Sequence, residues 1–441
     1  MDWESILSQI AKARKFAPMG RIESIRGTTV VSRGPKGPVG ELCWIDQDTG
    51  RIPCEIVGFE AQGRVLLTPY QELLGVQSGQ IVRATGHSLD IPGGPQLLGR
   101  LIDGMGRALD DKPDPTGHRL PVVSEPIAPL LRHPIASPLW TGIRVIDTLL
   151  TLGIGQRVGI FAGAGLGKTT LLRQLLRGVQ ADVAVVALVG ERGREVAEFY
   201  QSLPLESLNR TVIVAATSDM PAIMRLRAVH SANFIAEIFR GQGLNVLLVV
   251  DSLTRVAMAQ REVGLEAGEL PSTRGYTPSV FHLLPRLLER AGRVGLGSVT
   301  GVYTVLLDGD DPTDPIGDAV RGILDGNLYL SRALAEQHQF PAIDVLKSLS
   351  RVMPMVVDDD RRQLAAATRQ ILSRMERSRD MVDIGMYQTG GDPELDRCLA
   401  LEPPLNQWMS QSEETWEDPA TALSNLQQIV GGFGRTTDAT S

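Results

Sequence analysis

The spacing of apolar positions changes several times along the chain, and each change marks a different kind of element. At the N-terminus Trp3, Ile6, Leu7 and Ile10 fall on one stripe, with Glu4, Lys12, Arg14 and Lys15 off it. That spacing predicts a helix over residues 1–17, ended by Pro18 and Gly20. From residue 20 to about 95 short β-rich runs take over, at 28–32, 40–45, 54–59, 64–68 and 80–84. Turn signals such as Arg33-Gly34-Pro35-Lys36-Gly37-Pro38 separate the runs. Several short strands at this spacing predict a small barrel. Residues 86–140, rich in Pro, Gly and Asp, read as an ordered traverse over the surface of the next domain.

From about 141 to 350, apolar strands alternate with helical stretches, the signature of a mostly parallel sheet with helices on both faces. Strands are expected at 156–161, 183–189, 211–215, 246–251 and 298–307. Beyond 355 the pattern is helical, clearest at 364–377 and 392–401, and the Gly/Thr/Ser-rich last ten residues read as frayed. The expected architecture is α/β: a partner-binding helix (1–18), a β-barrel (19–95), a RecA-like phosphate-loop domain (96–355) and a helical C-terminal domain (356–441).

The chemistry enters between the strand at 156–161 and the helical apolar spacing of Leu171, Leu172, Leu175 and Leu176. The connecting residues are Gly163, Ala164, Gly165, Leu166, Gly167, Lys168, Thr169 and Thr170. Small residues there let backbone N–H groups converge on a triphosphate at a helix N-terminus that already favours negative charge. Lys168 would reach the β- and γ-phosphates of ATP, and the Thr169 hydroxyl would hold Mg²⁺. The first glycine of the usual loop pattern is Ala162 here. The run Val246-Leu247-Leu248-Val249-Val250-Asp251 is a buried strand ending in a carboxylate, placed to join the Mg²⁺ shell. The strand 183–189 runs into Gly190-Glu191-Arg192-Gly193-Arg194-Glu195, which puts Glu191 at a strand–loop junction suited to a general base. Glu195 reads as an ordinary helix-start charge.

Composition narrows the class. The chain has 441 residues, a net charge of −7 and 22% charged residues, and 43% hydrophobic content allows a large core. This balance disfavours a surface built to track nucleic acid. Three cysteines without metal-ligand spacing, Cys43, Cys54 and Cys398, give neither a disulfide framework nor a zinc site. No run of about 18 apolar residues occurs and no signal-peptide core is present, so a cytoplasmic protein is expected.

The motif after the second strand resembles the catalytic subunits of rotary ATPases. Wider blocks are more specific: Thr141-Gly142-Ile143-Arg144-Val145-Ile146-Asp147, Asp251-Ser252-Leu253-Thr254-Arg255, Pro271-Ser272-Thr273-Arg274-Gly275-Tyr276, Leu287-Leu288-Glu289-Arg290-Ala291-Gly292 and Phe340-Pro341-Ala342-Ile343-Asp344-Val345. Together they resemble the type III secretion ATPases over roughly residues 20–400. The block Pro315-Ile316-Gly317-Asp318-Ala319-Val320-Arg321-Gly322 is nearer the flagellar form than the injectisome form.

The resemblance implies an ATP hydrolase energising protein export, with Lys168, Glu191, Arg192, Asp251 and Arg351 catalytic. Phe340 would stack on adenine and Tyr387 would form a second wall. Arg351, in Ser348-Leu349-Ser350-Arg351, would be an arginine finger acting across an interface. A finger and a base in one chain suit a head-to-tail ring of identical copies, six by resemblance. Implied partners are a stator-like regulatory protein at the N-terminal helix, a stalk protein, an export gate, and export substrates or chaperones, with peripheral membrane association through them. Residues 262–269, with Glu262, Glu266 and Glu269, would form an acidic loop facing a protein in the ring channel. A hexameric RNA translocase is the rival class. It would need stacking aromatics in the barrel, where only Trp44, Phe59 and Tyr70 occur. A regulatory subunit would lack Glu191 or Lys168, and both are present.

Overall fold

The computed structural model describes residues 18–48, 50–122, 126–307 and 314–431; the helix expected over 1–17 and the tail from 432 lie outside them. Strands β1 (Met19–Arg26), β2 (Thr29–Arg33), β3 (Glu41–Gln47), β4 (Gly50–Glu60), β5 (Arg64–Pro69) and β6 (Ile81–Ser88) close a barrel in the order β1-β2-β5-β4-β3-β6. All six pairings are antiparallel. Ile22, Val30, Ile45, Ile52, Ile56, Leu67 and Val82 fill it, with Cys43 and Cys54 buried as free thiols. The sequence pattern had not shown β1, whose single core side chain is Ile22. Gly20 is required in it: a Cβ there would stand 2.2 Å from the Gly34 backbone.

The Pro- and Gly-rich traverse is not wholly superficial. Its strand β7 (Leu101–Ile102) joins the edge of the main sheet beside Ile213 and Val214. Helix α1 (Arg144–Leu149) precedes β8 (Arg157–Ala162), α2 (Lys168–Gly178), β9 (Val183–Val189), α3 (Gly193–Ser202), β10 (Thr211–Ala216), α4 (Ala222–Gly241) and β11 (Asn245–Asp251). Helices α5 (Leu253–Glu266) and α6 (Pro278–Leu288), strand β12 (Gly297–Leu306), helix α7 (Pro315–Arg321), and strands β13 (Gly326–Tyr329) and β14 (Leu349–Ser350) complete the domain. The strands lie in the order β14-β13-β8-β12-β11-β9-β10-β7, parallel except for β14 on β13.

Strand residues alternate between the two faces, and both faces are buried. Val158, Ile160, Ala184, Val186, Leu247 and Val249 pack with α2 and the C-terminal helices. Phe161, Val183, Val185, Leu248 and Val250 pack with α4, α5 and α6. This two-sided burial explains the near-continuous apolar runs in the sequence. The C-terminal part comprises α8 (Asp359–Asp383), α9 (Pro393–Met409) and α10 (Pro419–Val430). Helix α9 runs through Pro403 and Pro404, past the end expected from its spacing, because Leu405, Trp408 and Met409 beyond them are buried. No described helix is long and apolar enough to cross a membrane.

Residues 262–266 are the last turn of α5, not a loop, and the three carboxylates expected to line a channel have internal partners. Glu262 pairs with Arg225 at 2.6 Å, Glu266 accepts from Thr28 of the barrel, and Glu269 accepts from the Ser279 backbone N–H at 3.1 Å.

A buried polar cluster fixes the barrel to the ATPase domain. Arg227 of α4 donates through Nε to Glu55 Oε2 and to the Tyr70 hydroxyl, both at 3.0 Å, and the Tyr70 hydroxyl donates to Glu55. Burial pushes the Tyr70 phenol well above its ordinary range, and the Glu55 charge adds to that. Arg227→Ala would strand the Glu55 carboxylate, so it should cost about 3–5 kcal/mol in chemical denaturation. Adding Glu55→Gln, which still accepts from Tyr70, should restore part of that loss.

Candidate nucleotide-binding site

The loop after β8 is built by two left-handed glycines, Gly165 at φ +79° and Gly167 at φ +82°, before the first turn of α2 at Lys168. A Cβ on Gly165 would meet nothing within 4 Å, so one wall of the cradle is open. A Cβ on Gly167 would stand 3.3 Å from the Phe340 ring, so that ring closes the other wall. Leu166 is buried and anchors the loop in the core, whereas Ala164, Gly165 and Thr169 are exposed. Gly163 is buried and Thr170 half-buried. Ala162 replaces the usual glycine without obstruction because its methyl is fully buried in the core.

Two carboxylates converge on this loop from adjacent strands. Leu188 of β9 is in register with Asp251, which ends β11, and Glu191 follows β9 by two residues. The Lys168 ammonium bonds Asp251 Oδ1 and lies 3.6 Å from Glu191 Oε1. Thr304 of β12 donates to Asp251 Oδ1 at 2.7 Å. Burial pushes Glu191 up to about 7; the Lys168 charge opposes the shift, while the Asp251 charge and a hydrogen bond with Glu195 add to it. Glu191 Oε1 is buried and makes no hydrogen bond among the described residues. A buried acceptor of this kind beside an open glycine cradle fits an incoming water and phosphate. The Thr169 hydroxyl and the Asp251 carboxylate are oxygen donors of the type Mg²⁺ takes.

Arg192 caps α3, with its side chain 82% exposed and 3.9 Å from Glu195. Arg351 lies elsewhere. It is exposed, and its backbone N–H donates to Asp325 C=O at 2.9 Å, at the start of β13. Asp325 in turn accepts from Arg157 N at 3.0 Å, at the start of β8. The phosphate loop begins at the other end of the six-residue strand β8, about 16 Å along it. Arg351 and the loop of one chain therefore sit at opposite ends of the parallel strands.

Tyr387 is not joined to Phe340. Its hydroxyl donates to the Asp392 carbonyl at 3.1 Å and to Asp396 Oδ1 at 2.8 Å, and it lines a cavity with Arg374, Arg377 and Met381. The segment that does reach Phe340 holds Gln411, whose backbone N–H donates to the Phe340 carbonyl at 2.7 Å. Arg173 of α2 ties that segment to the loop helix through Glu413 at 2.8 Å.

Three residues at the site escape single-sequence reasoning. Thr304 sits mid-strand, where a hydroxyl reads as β propensity. Gln411 lies far along the chain in a polar stretch. Arg255, four residues after Asp251, packs its side chain against Gly190 and lowers the cost of charge on Glu191. The i+4 position after a strand-terminal carboxylate was its available signal.

The chain matches two family models: the ATP synthase alpha/beta family nucleotide-binding domain over residues 142–350, and the T3SS EscN ATPase C-terminal domain over residues 357–428. It is 46% identical over 435 residues to the flagellum-specific ATP synthase of Bacillus subtilis, covering 97% of this chain and 99% of that one. The assembled ATPase EscN of the enteropathogenic E. coli type III secretion system superposes with a TM-score of 0.89 at 43% identity, over 93% of this chain and all of that one. EscN in complex with its central stalk EscO gives 0.87 at 42% identity, with the same coverage.

Glu191 makes the stability of the nucleotide-free protein depend on pH. Between about 4.5 and 7 the native state keeps a proton that the unfolded chain has lost, so stability falls as pH rises. Glu191→Gln should abolish that fall and leave the variant more stable than the parent above pH 7, by on the order of 2 kcal/mol. Denaturation midpoints measured from pH 5 to 8 read this directly.

Proposed function

The chain belongs to the family of flagellum-specific ATP synthases and type 3 secretion system ATPases, and from that premise we propose that it energises flagellar protein export as a head-to-tail ring of identical copies. It is an ATPase of that family. The observation that carries the ring is the separation of Arg351 from the phosphate loop within one chain. An arginine at the opposite end of the strands cannot reach its own nucleotide, but it can reach a neighbour's when the copies stack head to tail. The EscN relative is an assembled ATPase, and its complex with a central stalk supports both self-association and a stalk partner. The number six, a stator-like protein at residues 1–18, an export gate and a cytoplasmic, membrane-peripheral location belong to the same proposal. Relatives carry both flagellar and type III secretion names, so injectisome export is the second reading.

The site's geometry gives the reaction an order. Lys168, now shared by Asp251 and Glu191, turns to the β- and γ-phosphates of ATP as they fill the loop. Thr169 and Asp251 would hold Mg²⁺, which neutralises phosphate charge. Phe340 lies against Gly167, in reach of the adenine face. Glu191, as carboxylate, orients the attacking water and takes its proton, with Arg255 beside it offsetting the charge. Arg351 of the next copy meets the charge that develops as the bond to the leaving phosphate loosens. Hydrolysis thus requires a closed interface, which couples it to subunit motion.

Arg351→Ala should lower kcat about 10³-fold with nucleotide affinity little changed. Glu191→Gln should bind ATP and assemble but not turn over. Mixing the two variants should recover activity, because interfaces then form that hold one intact carboxylate and one intact guanidinium. A mixture as inert as its components would overturn the shared site.

A further inference from the structure

Exposed apolar side chains gather at the end of the strands where Arg351 emerges. Strand β12 starts early: its fifth residue, Gly301, is in register with Arg157, the first residue of β8, so β12 overshoots β8 by about 13 Å. The chain enters that overhang through a tight hairpin, in which residues 292–294 run antiparallel to 297–299 and Gly295 takes φ +60°. Leu296 stands at the hairpin tip, 93% exposed. Arg132 pairs with Val294, which brings the two residues before it, Leu130 and Leu131, beside the same turn. Their exposures are 99% and 58%. Ion pairs then join Arg132 to Glu289, Glu289 to Arg157 and Arg157 to Asp325, the residue whose carbonyl holds the Arg351 backbone. Leu349 precedes Arg351 by two residues and Met355 follows it by four, and both are exposed. Apolar side chains thus flank a strip of ion pairs at one end of the sheet. Clustered exposure of this kind marks a contact surface in soluble proteins.

We infer that this face docks on a second copy of the chain, with Leu130 and Leu296 as its apolar anchors, and that it seats on the face of that copy which bears the phosphate loop. This rests on the ring proposed above. Continuity with Arg351 selects the occupant. Strand β12 lies two strands from β13, about 10 Å, so the hairpin and Arg351 fall within one interface of ordinary size. A surface that Arg351 reaches therefore also meets the hairpin tip. Docking by two identical faces would set arginine against arginine and leave both phosphate loops without a partner, whereas head-to-tail docking serves every loop. The two kinds of side chain divide the work. The leucines gain by leaving water and hold the copies together, and the guanidinium acts only on charge developing at the phosphate.

The experiment uses the full-length chain with Leu130→Asp and Leu296→Asp combined. Both sites are open to water in the single copy, so the melting temperature should stay close to parental. Sedimentation velocity over a range of protein concentrations, with ATP and in the Glu191→Gln background, should show self-association weakened about tenfold or more. Leu130→Met with Leu296→Met keeps the apolar area and should associate as the parent does. Mixing then gives the direction of docking. The double aspartate variant retains its base and its loop face, so Glu191→Gln, with anchors and arginine intact, should dock there and revive hydrolysis. Arg351→Ala should not revive it, because neither component then offers a face with both anchors and a guanidinium. The inference falls if the double aspartate variant associates as tightly as the parent. It falls equally if Glu191→Gln fails to revive that variant, or if Arg351→Ala revives it just as well. Mixing Arg351→Ala with Glu191→Gln in the same series tests the ring separately: revival there beside any of those failures removes the leucine anchors and keeps the shared site.

Discussion

Two carboxylates, at and just beyond the C-terminal ends of adjacent parallel strands, share one ammonium, and the rest of the site is organised around that arrangement. Asp251 and Glu191 would repel each other in a buried setting. Lys168, delivered by the first turn of α2, holds them together, and Thr304 fixes the Asp251 oxygen. A triphosphate filling the loop would compete for the same ammonium, which under the proposed function releases both acids. The raised affinity of Glu191 for a proton follows from the same burial.

The sheet that sets this geometry also sets its incompleteness. Parallel strands place all their C-terminal ends on one side, which is where phosphate loops form. The short antiparallel strand β14 turns the chain back, so Arg351 emerges at the opposite end of the strands. Under the proposed function, Arg351 acts there only if a second copy presents its loop. The buried Arg227–Glu55–Tyr70 cluster anchors the barrel to α4, and the α4 N-terminus lies just beyond Ser218, whose N–H donates to the Glu191 carbonyl at 3.0 Å. Barrel and catalytic loop are thus linked by one helix.

The loop lysine, the strand-terminal aspartate and the glutamate after β9 were legible because each sits at the junction of an apolar strand with a turn. Five of the six barrel strands were visible in turn spacing; β1 was not, because Ile22 is its only core side chain. Tyr387 shows the limit of placing a side chain by position alone. Local bonds to Asp392 and Asp396 hold it in the C-terminal helices, and the wall beside Phe340 is built by the segment around Gln411. The stretch 262–269, read as a loop, is helical as far as Glu266, and its carboxylates have partners the sequence did not show. Arg225, Thr28 and Ser279, all distant in sequence, supply their partners.

By itself the sequence determined what depends on near neighbours: the strand–loop–helix that grips phosphate, the doubly buried strands, the helical C-terminus and the residue types able to catalyse hydrolysis. Backbone propensity and side-chain period act over a few residues, so they can be read from a single line of text. The tertiary structure alone decided which distant groups meet. It brought Thr304 to Asp251 and Gln411 to Phe340, joined the barrel to α4, and sent Arg351 away from its own nucleotide. Those contacts arise from strand order and packing between elements up to hundreds of residues apart, and no local pattern encodes them.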